Sequence, residues 1–311
     1  MREPKKHAID RSALKQNEPQ ETVPLEAVTQ QEEKPEEIRS EQIVPPEISE
    51  TPQTDPVSQP KKRVKRKGHG KTILILVVVV ILLAATCFKI YIDNDYEPLH
   101  SREEYQTLTE VEIEFSDNVI AIQDMEQPGE NWKTGFIFYG DERIQRESYL
   151  PLMAALANMG YSVFLPTTFG NIPILNLEGA EYVSRTYPSV KTWYIVAHGK
   201  ACPVAAKYAS SHSTKIKGLV YLGGYSNTDL SNKTLRLLSV TASNDSIMDR
   251  KEFQNAKAND PKDTVYLEIE GGNHTGFTDT KLIRKDSPAA ISSEEQIRFT
   301  ALAIQNFVTA P

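Results

Sequence analysis

An apolar run from Thr72 to Ile92, interrupted only by Lys89, divides this chain into parts that cannot share one core. A helix of roughly twenty residues crosses the hydrocarbon of a bilayer, and Lys89 lies near enough to the end for its amine to reach the surface. A core helix of a soluble protein would carry a polar stripe, whereas Ile73 to Phe88 is apolar on every face. A cleaved signal peptide would start close to the N-terminus, but residues 1–60 precede the basic block here. The run is therefore expected to be a single transmembrane helix over 72–92.

The flanks give this span a direction. Lys61-Lys62-Arg63-Val64-Lys65-Arg66-Lys67 and Lys71 precede it, while Asp93, Asp95 and Glu97 follow. Basic residues stay on the cytoplasmic side, so the N-terminal tail is expected in the cytoplasm and everything after residue 92 outside. Beside a span the basic block reads as a topology signal and an anionic-lipid contact. With a net charge of -7 for the chain, nucleic acid is not expected as a partner. Residues 1–71 contain no Phe, Trp or Tyr, and Pro recurs with Glu, Gln, Ser and Thr through Pro60. Such a tail has too little apolar surface to offset the entropy of ordering it, so it is expected to be disordered, a solvated segment or a docking site for a cytoplasmic partner. Cys87 lies in the span and Cys202 beyond it, which leaves the outer part to fold without an intrachain disulfide.

Residues 93–115 read as a charged juxtamembrane segment and 116–311 as one domain, large enough for a core of its own. Strands are expected at Val111 to Phe115, Val119 to Met125, Gly135 to Tyr139, Tyr161 to Leu165, Trp193 to Ala197, Ile216 to Leu222, Leu235 to Thr241 and Val265 to Ile269. Helices are expected at Ser148 to Met159, Leu177 to Tyr187, Pro203 to Ser211 and Ser293 to Val308. Continuous apolar strands alternating with helices indicate an α/β fold whose mainly parallel sheet is flanked by helices on both faces.

Within that alternation, Trp193 to Ala201 is a hydrophobic strand entering a tight turn before a helix, the setting of a nucleophile elbow. Ala197 and Ala201 keep the flanks small, and Gly199 occupies the strained central position. Serine there would supply the attacking oxygen; glycine has no side chain to attack with. Asp245, after the strand ending at Thr241, and His274, after the strand ending at Ile269, follow in the order of acid and base. Either alone reads as an ordinary loop residue, and their joint placement behind an elbow makes them the residual pair. Cys202, at the start of the next helix, reads as a buried structural thiol rather than a substitute nucleophile, and Lys200 as a solvated charge.

On these motifs the outer domain resembles the bacterial α/β-hydrolases of the fold-5 subfamily. The matching stretches are Gly135 to Tyr139, His198 to Ala201 against a His-Ser-Leu-Gly-Gly elbow, Ser243 to Asp245, and Gly271 to His274. The resemblance covers about Asn118 to Phe307 and implies a hydrolase fold with Asp245 and His274 as acid and base. It also marks two departures. The serine aligns with Gly199, and a Pro-Gly-Gly stretch whose amides build an oxyanion hole is replaced by Gly140-Asp141-Glu142. Carboxylates there oppose a developing oxyanion unless they point to solvent. The combination implies a membrane-anchored pseudohydrolase that binds a small molecule or protein outside, around Gly140, Asp141, Gly199 and Lys200. The alternative is an active ester or amide hydrolase using an unconventional nucleophile or a water activated by His274. No metal or cofactor is expected.

Overall fold

The computed structural model describes residues 70–92, 95–123 and 131–310, so of the disordered tail expected over 1–71 residues 1–69 lie outside the described residues, and Gly70 and Lys71 are helical. Helix α1 (Gly70–Ile92) is long and apolar enough to cross a membrane, and it starts two residues earlier than the apolar run. Its residues 70–83 fall in one unit, whereas 84–310 belong to the other.

In the second unit, α2 (Arg102–Gln106), β1 (Ile113–Phe115), β2 (Val119–Ile122) and β3 (Thr134–Tyr139) come first. They are followed by α3 (Leu150–Ala157), β4 (Ser162–Pro166), α4 (Gly179–Thr186), β5 (Thr192–His198) and α5 (Cys202–Ser211). The chain closes through β6 (Ile216–Leu222), β7 (Arg236–Ala242), α6 (Arg250–Ala256), β8 (Asp263–Ile269) and α7 (Ser293–Thr309). One eight-stranded sheet runs β1-β2-β4-β3-β5-β6-β7-β8. β2 is antiparallel to β1 and β4, and every pair from β4 to β8 is parallel.

Strand periodicity explains how one sheet serves two cores. Phe136 and Phe138 of β3, with Tyr194 and Val196 of β5, pack on one face against Leu152 and Leu156 of α3 and Ile304 of α7. Ile137 and Tyr139, with Trp193, Ile195 and Ala197, pack on the other against Val183 of α4 and Ala205 of α5. Successive side chains point to opposite faces, so an unbroken apolar run fits only a strand covered on both sides. β8 departs from that pattern. It is the sheet edge, and Val265 and Tyr266 are exposed, because no strand follows to cover them.

Within the stretch expected to be a juxtamembrane segment, 93–115, residues 95–115 pack against the sheet and its loops. Ser101 and Glu104 form a capping box that starts α2, and Tyr105 on that helix is 1 % exposed within the core. Its hydroxyl donates to Asp279 Oδ2 at 2.5 Å, and Ile113 of β1 is buried beside it. Upstream, Tyr96 bridges in parallel to Ile144 and Pro98 antiparallel to Thr280. Removing a buried aromatic ring costs about 3–5 kcal/mol through lost transfer energy and cavity formation. Tyr105→Ala is accordingly expected to lower the thermal unfolding midpoint of the full chain by roughly 10 °C. A midpoint within a degree of the unsubstituted protein would show that 95–110 is only a linker.

Candidate functional site

The site sits at the carboxyl ends of β3, β5, β7 and β8, and each strand delivers one part of it. β5 ends in His198, a single turn of 3-10 helix follows at Gly199–Ala201, and α5 begins at Cys202. Gly199 adopts φ +51, the left-handed region that an elbow imposes and that glycine enters without strain. The turn therefore forms around glycine.

A carboxylate fills the space beside Gly199. A Cβ added at Gly199 would lie 2.3 Å from Oδ2 and 2.4 Å from Cγ of Asp141. Asp141 follows β3, and it points inward at 8 % exposure, not to solvent. Its Oδ1 accepts from the Lys200 amide at 2.8 Å and from the Glu142 amide at 2.7 Å. The Asp141 amide itself donates to the Tyr149 hydroxyl at 2.7 Å. Backbone donors that would greet an oxyanion are thus already taken. Glu142 does point outward, where it pairs with the exposed Lys200 ammonium.

Asp245 and His274 come together as the sequence implied. His274 Nδ1 lies 2.9 Å from Asp245 Oδ2, and Asp245 Oδ1 accepts the amides of Ile247 and Met248 at 2.8 and 2.9 Å. Beneath them, a Cβ at Gly223 would meet Asp245 Oδ2 and His274 Nδ1 at 2.9 Å, so glycine lets the two groups approach. The far nitrogen is the difference from a working triad: His274 Nε2 is 3.1 Å from Asp141 Oδ2.

Carboxylates at both nitrogens fix the charge. Burial alone would push the His274 pKa down, but the hydrogen bonds to Asp141 and Asp245, reinforced by their charge, overcome it and raise it to about 10. Burial would likewise raise both carboxyls, yet the contact with His274 outweighs it and holds Asp141 and Asp245 below the usual carboxylate range. At neutral pH the centre is an imidazolium between two carboxylates. A protonated imidazole with no free nitrogen cannot accept a proton from a nucleophile.

Three neighbours that the sequence reading passed over complete the site. Tyr149 Oη accepts the Asp141 amide and lies 3.0 Å from His198 Nδ1, a buried hydrogen bond that ties the loop after β3 to the end of β5. Burial first, and then the adjacent His274 charge, lower the His198 pKa to about 3. Gln296 of α7, fully buried, accepts the Asn273 amide and donates to the Asn273 carbonyl, clamping the base loop. Asp286 accepts the Thr275 amide at 2.8 Å and the Ser246 amide at 3.3 Å, joining base and acid loops. His198 lay inside a matched motif; no local pattern marked Tyr149, Gln296 or Asp286.

The remaining expectations for this region follow from its packing. Cys202 is fully buried, its thiol donates to the Ala197 carbonyl, and burial, with the Asp141 charge, pushes its pKa well up, so it is not a thiolate. Asp141, His198 and His274 each offer a ligand atom within 4.8 Å of the others. The two imidazoles are stacked, however, 4.3 Å apart and 29° from parallel, so their lone pairs do not converge on one point. The cleft beside Asp141, lined by Gly140, Ile144, Arg146, Leu165, Thr168 and Asn171, encloses only about 10 Å³. That is the space of about one water.

The family model described as the alpha/beta hydrolase family matches residues 135–298, more than half of the chain. The chain belongs to that family. Similar solved structures include a predicted CIB-like hydrolase from Thermoplasma acidophilum, 14 % identical, covering 63 % of this chain and 98 % of that one, with a TM-score of 0.46. A Pyrobaculum calidifontis esterase is 14 % identical over 67 % of this chain and 92 % of its own, with a TM-score of 0.46. Est1E from Butyrivibrio proteoclasticus is 13 % identical over 64 % and 98 %, with a TM-score of 0.45. No curated protein matches the chain.

The charged centre has a pH signature. His274 binds its proton more tightly folded than unfolded, so its contribution to stability is complete below pH 6.5 and is lost as pH rises toward about 10. Asp141 and Asp245 act in the opposite sense, contributing above their ordinary value of 3.8 and losing that contribution as pH falls below it. Urea unfolding at a series of pH values should show stability from this centre highest between those limits and falling on the alkaline side. Asp141→Asn should flatten the alkaline decline and bring the His274 titration, followed by NMR, down toward the ordinary histidine range. An unchanged His274 titration in that variant would contradict the ion pair.

Proposed function

We propose that this chain is a membrane-anchored pseudohydrolase: an α/β-hydrolase domain held outside the cytoplasmic membrane by α1, without hydrolytic chemistry, that binds a small molecule or protein. The observation that carries it is the Asp141 carboxylate, which fills the nucleophile's space, takes the elbow amide and holds His274 protonated. Loss of the nucleophile in a serine protease costs on the order of 10⁶ in turnover even where everything else is intact. Here the base and the oxyanion donors are engaged as well. The membrane part of the reading rests on the length and apolarity of α1 and on the charge difference across it.

The alternative is a hydrolase in which Asp141 attacks as a carboxylate, and the contact of that group with His274 and the Lys200 amide is what favours it. The two readings separate on one set of assays with short p-nitrophenyl esters. The unsubstituted chain is expected to show no turnover above background. Gly199→Ser alone should also be inactive, because the new side chain meets Asp141. Gly199→Ser with Asp141→Gly frees both the space and His274, and should exceed the unsubstituted protein by roughly 10²-fold or more, the scale of a restored general base. Turnover by the unsubstituted chain that vanishes in Asp141→Asn would replace the pseudohydrolase reading with the carboxylate one.

A further inference from the structure

In the unit that holds the site, one run of exposed large apolar side chains lies at the end of the sheet where the elbow is. Phe169, Ile174 and Leu175, on the segment after β4, are 65 %, 56 % and 56 % exposed. Leu99, whose amide donates to the Asp279 carbonyl, and Leu282, after the base loop, are 52 % and 49 % exposed at the same end. Scattered exposed leucines need no explanation, but three large apolar side chains exposed within seven residues, at Phe169, Ile174 and Leu175, suit a contact surface.

The length of chain behind the cluster identifies what it meets. Asp95 Oδ2 accepts from Asn171 Nδ2 at 2.7 Å, the Tyr96 amide donates to the Arg143 carbonyl at 2.7 Å, and the Gln145 amide donates to the Tyr96 carbonyl at 3.0 Å. Residues 95 and 96 are thereby fixed to the loops bearing Asp141 and Phe169. Only three residue steps separate Asp95 from Ile92, the end of α1, and fully extended they reach about 11 Å. In the same unit the Phe88 ring stacks on Phe169, centroids 6.0 Å apart, and the Arg143 guanidinium lies 5.2 Å from the centre of the Tyr91 ring. Phe88 lies four residues before the end of α1, so the stack holds Phe169 near the level at which that helix ends.

We propose that the elbow end of the sheet rests on the outer leaflet of the bilayer, with Phe169, Ile174 and Leu175 inserted at the boundary between headgroups and acyl chains. The proposal rests on the reading that α1 spans the membrane. Phenylalanine, isoleucine and leucine side chains fit that boundary, where partial burial of apolar area gives reversible attachment. The site then faces lipid, and the binding partner closest to hand is a molecule carried in the membrane.

The full chain, with Cys87→Ser and Cys202 left buried, tests this in phosphatidylcholine vesicles. Single cysteines at Phe169→Cys, Ile174→Cys, Val265→Cys on the open sheet edge and Leu76→Cys within α1 carry an environment-sensitive dye. Quenching by lipids with a nitroxide high on the acyl chain is compared with quenching by a water-soluble ion. Dyes at 169 and 174 are expected to be quenched by the lipid nitroxide about threefold more than the dye at 265, as insertion at the interface requires. If the dye at 76 is quenched by lipid while those at 169 and 174 behave like 265, the span stands and the surface contact is refuted. Shielding of 169 and 174 from both quenchers means that protein covers them, which also refutes it. A dye at 76 that lipid does not quench overturns the span and the surface contact together.

Discussion

A buried ion pair between Asp141 and His274 governs everything else at this site. Both side chains are almost wholly inaccessible, and a charge moved out of water is tolerated only when it is paired and hydrogen-bonded. The Asp141 carboxylate has the Lys200 and Glu142 amides as well as His274; the imidazolium has Asp245 on its other side. Removing one member of such a set leaves its partner charged and unpaired, which typically costs 3–5 kcal/mol. The arrangement therefore holds as a unit or fails as one.

That coupling changes the meaning of the two departures seen in the sequence. Gly199 and Asp141 look like separate losses, one of a nucleophile and one of an oxyanion-hole backbone. In space they are one substitution, because the carboxylate occupies the volume that a side chain at 199 would need. Serine at 199 with Asp141 in place clashes, and glycine at both positions leaves the Lys200 and Glu142 amides and the Nε2 of His274 without the carboxylate they share. Each residue makes the other tolerable, so reversion by a single step is unfavourable.

How much of this was legible in the sequence follows from how local each signal is. The elbow, the acid loop and the base loop are short stretches at strand ends, so strand periodicity and order mark Gly199, Asp245 and His274 as residues at one end of the sheet, where Asp245 and His274 meet. The direction of Asp141 was not legible, since inward and outward rotamers of a loop residue share one sequence, and the Lys200 amide that holds it lies 59 positions away. Tyr149, Gln296 and Asp286 act through single buried contacts from distant elements and carry no pattern. The short helix α2 did have a readable start in Ser101 and Glu104, but a charged five-residue stretch beside a span resembles a linker. β8 was read as a covered strand because its composition is apolar, although nothing in composition says which strand ends the sheet.

An active elbow stores unfavourable terms: a strained turn, amides aimed at empty space and a histidine kept neutral beside an acid. Each is offset only when substrate arrives. In this chain the same positions carry the opposite sign. Glycine removes the strain at 199, a carboxylate satisfies the amide at 200, and the histidine is stabilised as a cation. Each of these contacts stabilises the folded site as it stands, with no ligand needed to complete it. The cleft beside Asp141 encloses only about 10 Å³, and exposed apolar side chains lie both on the segment after β4, at Phe169, Ile174 and Leu175, and on the sheet edge, at Val265 and Tyr266.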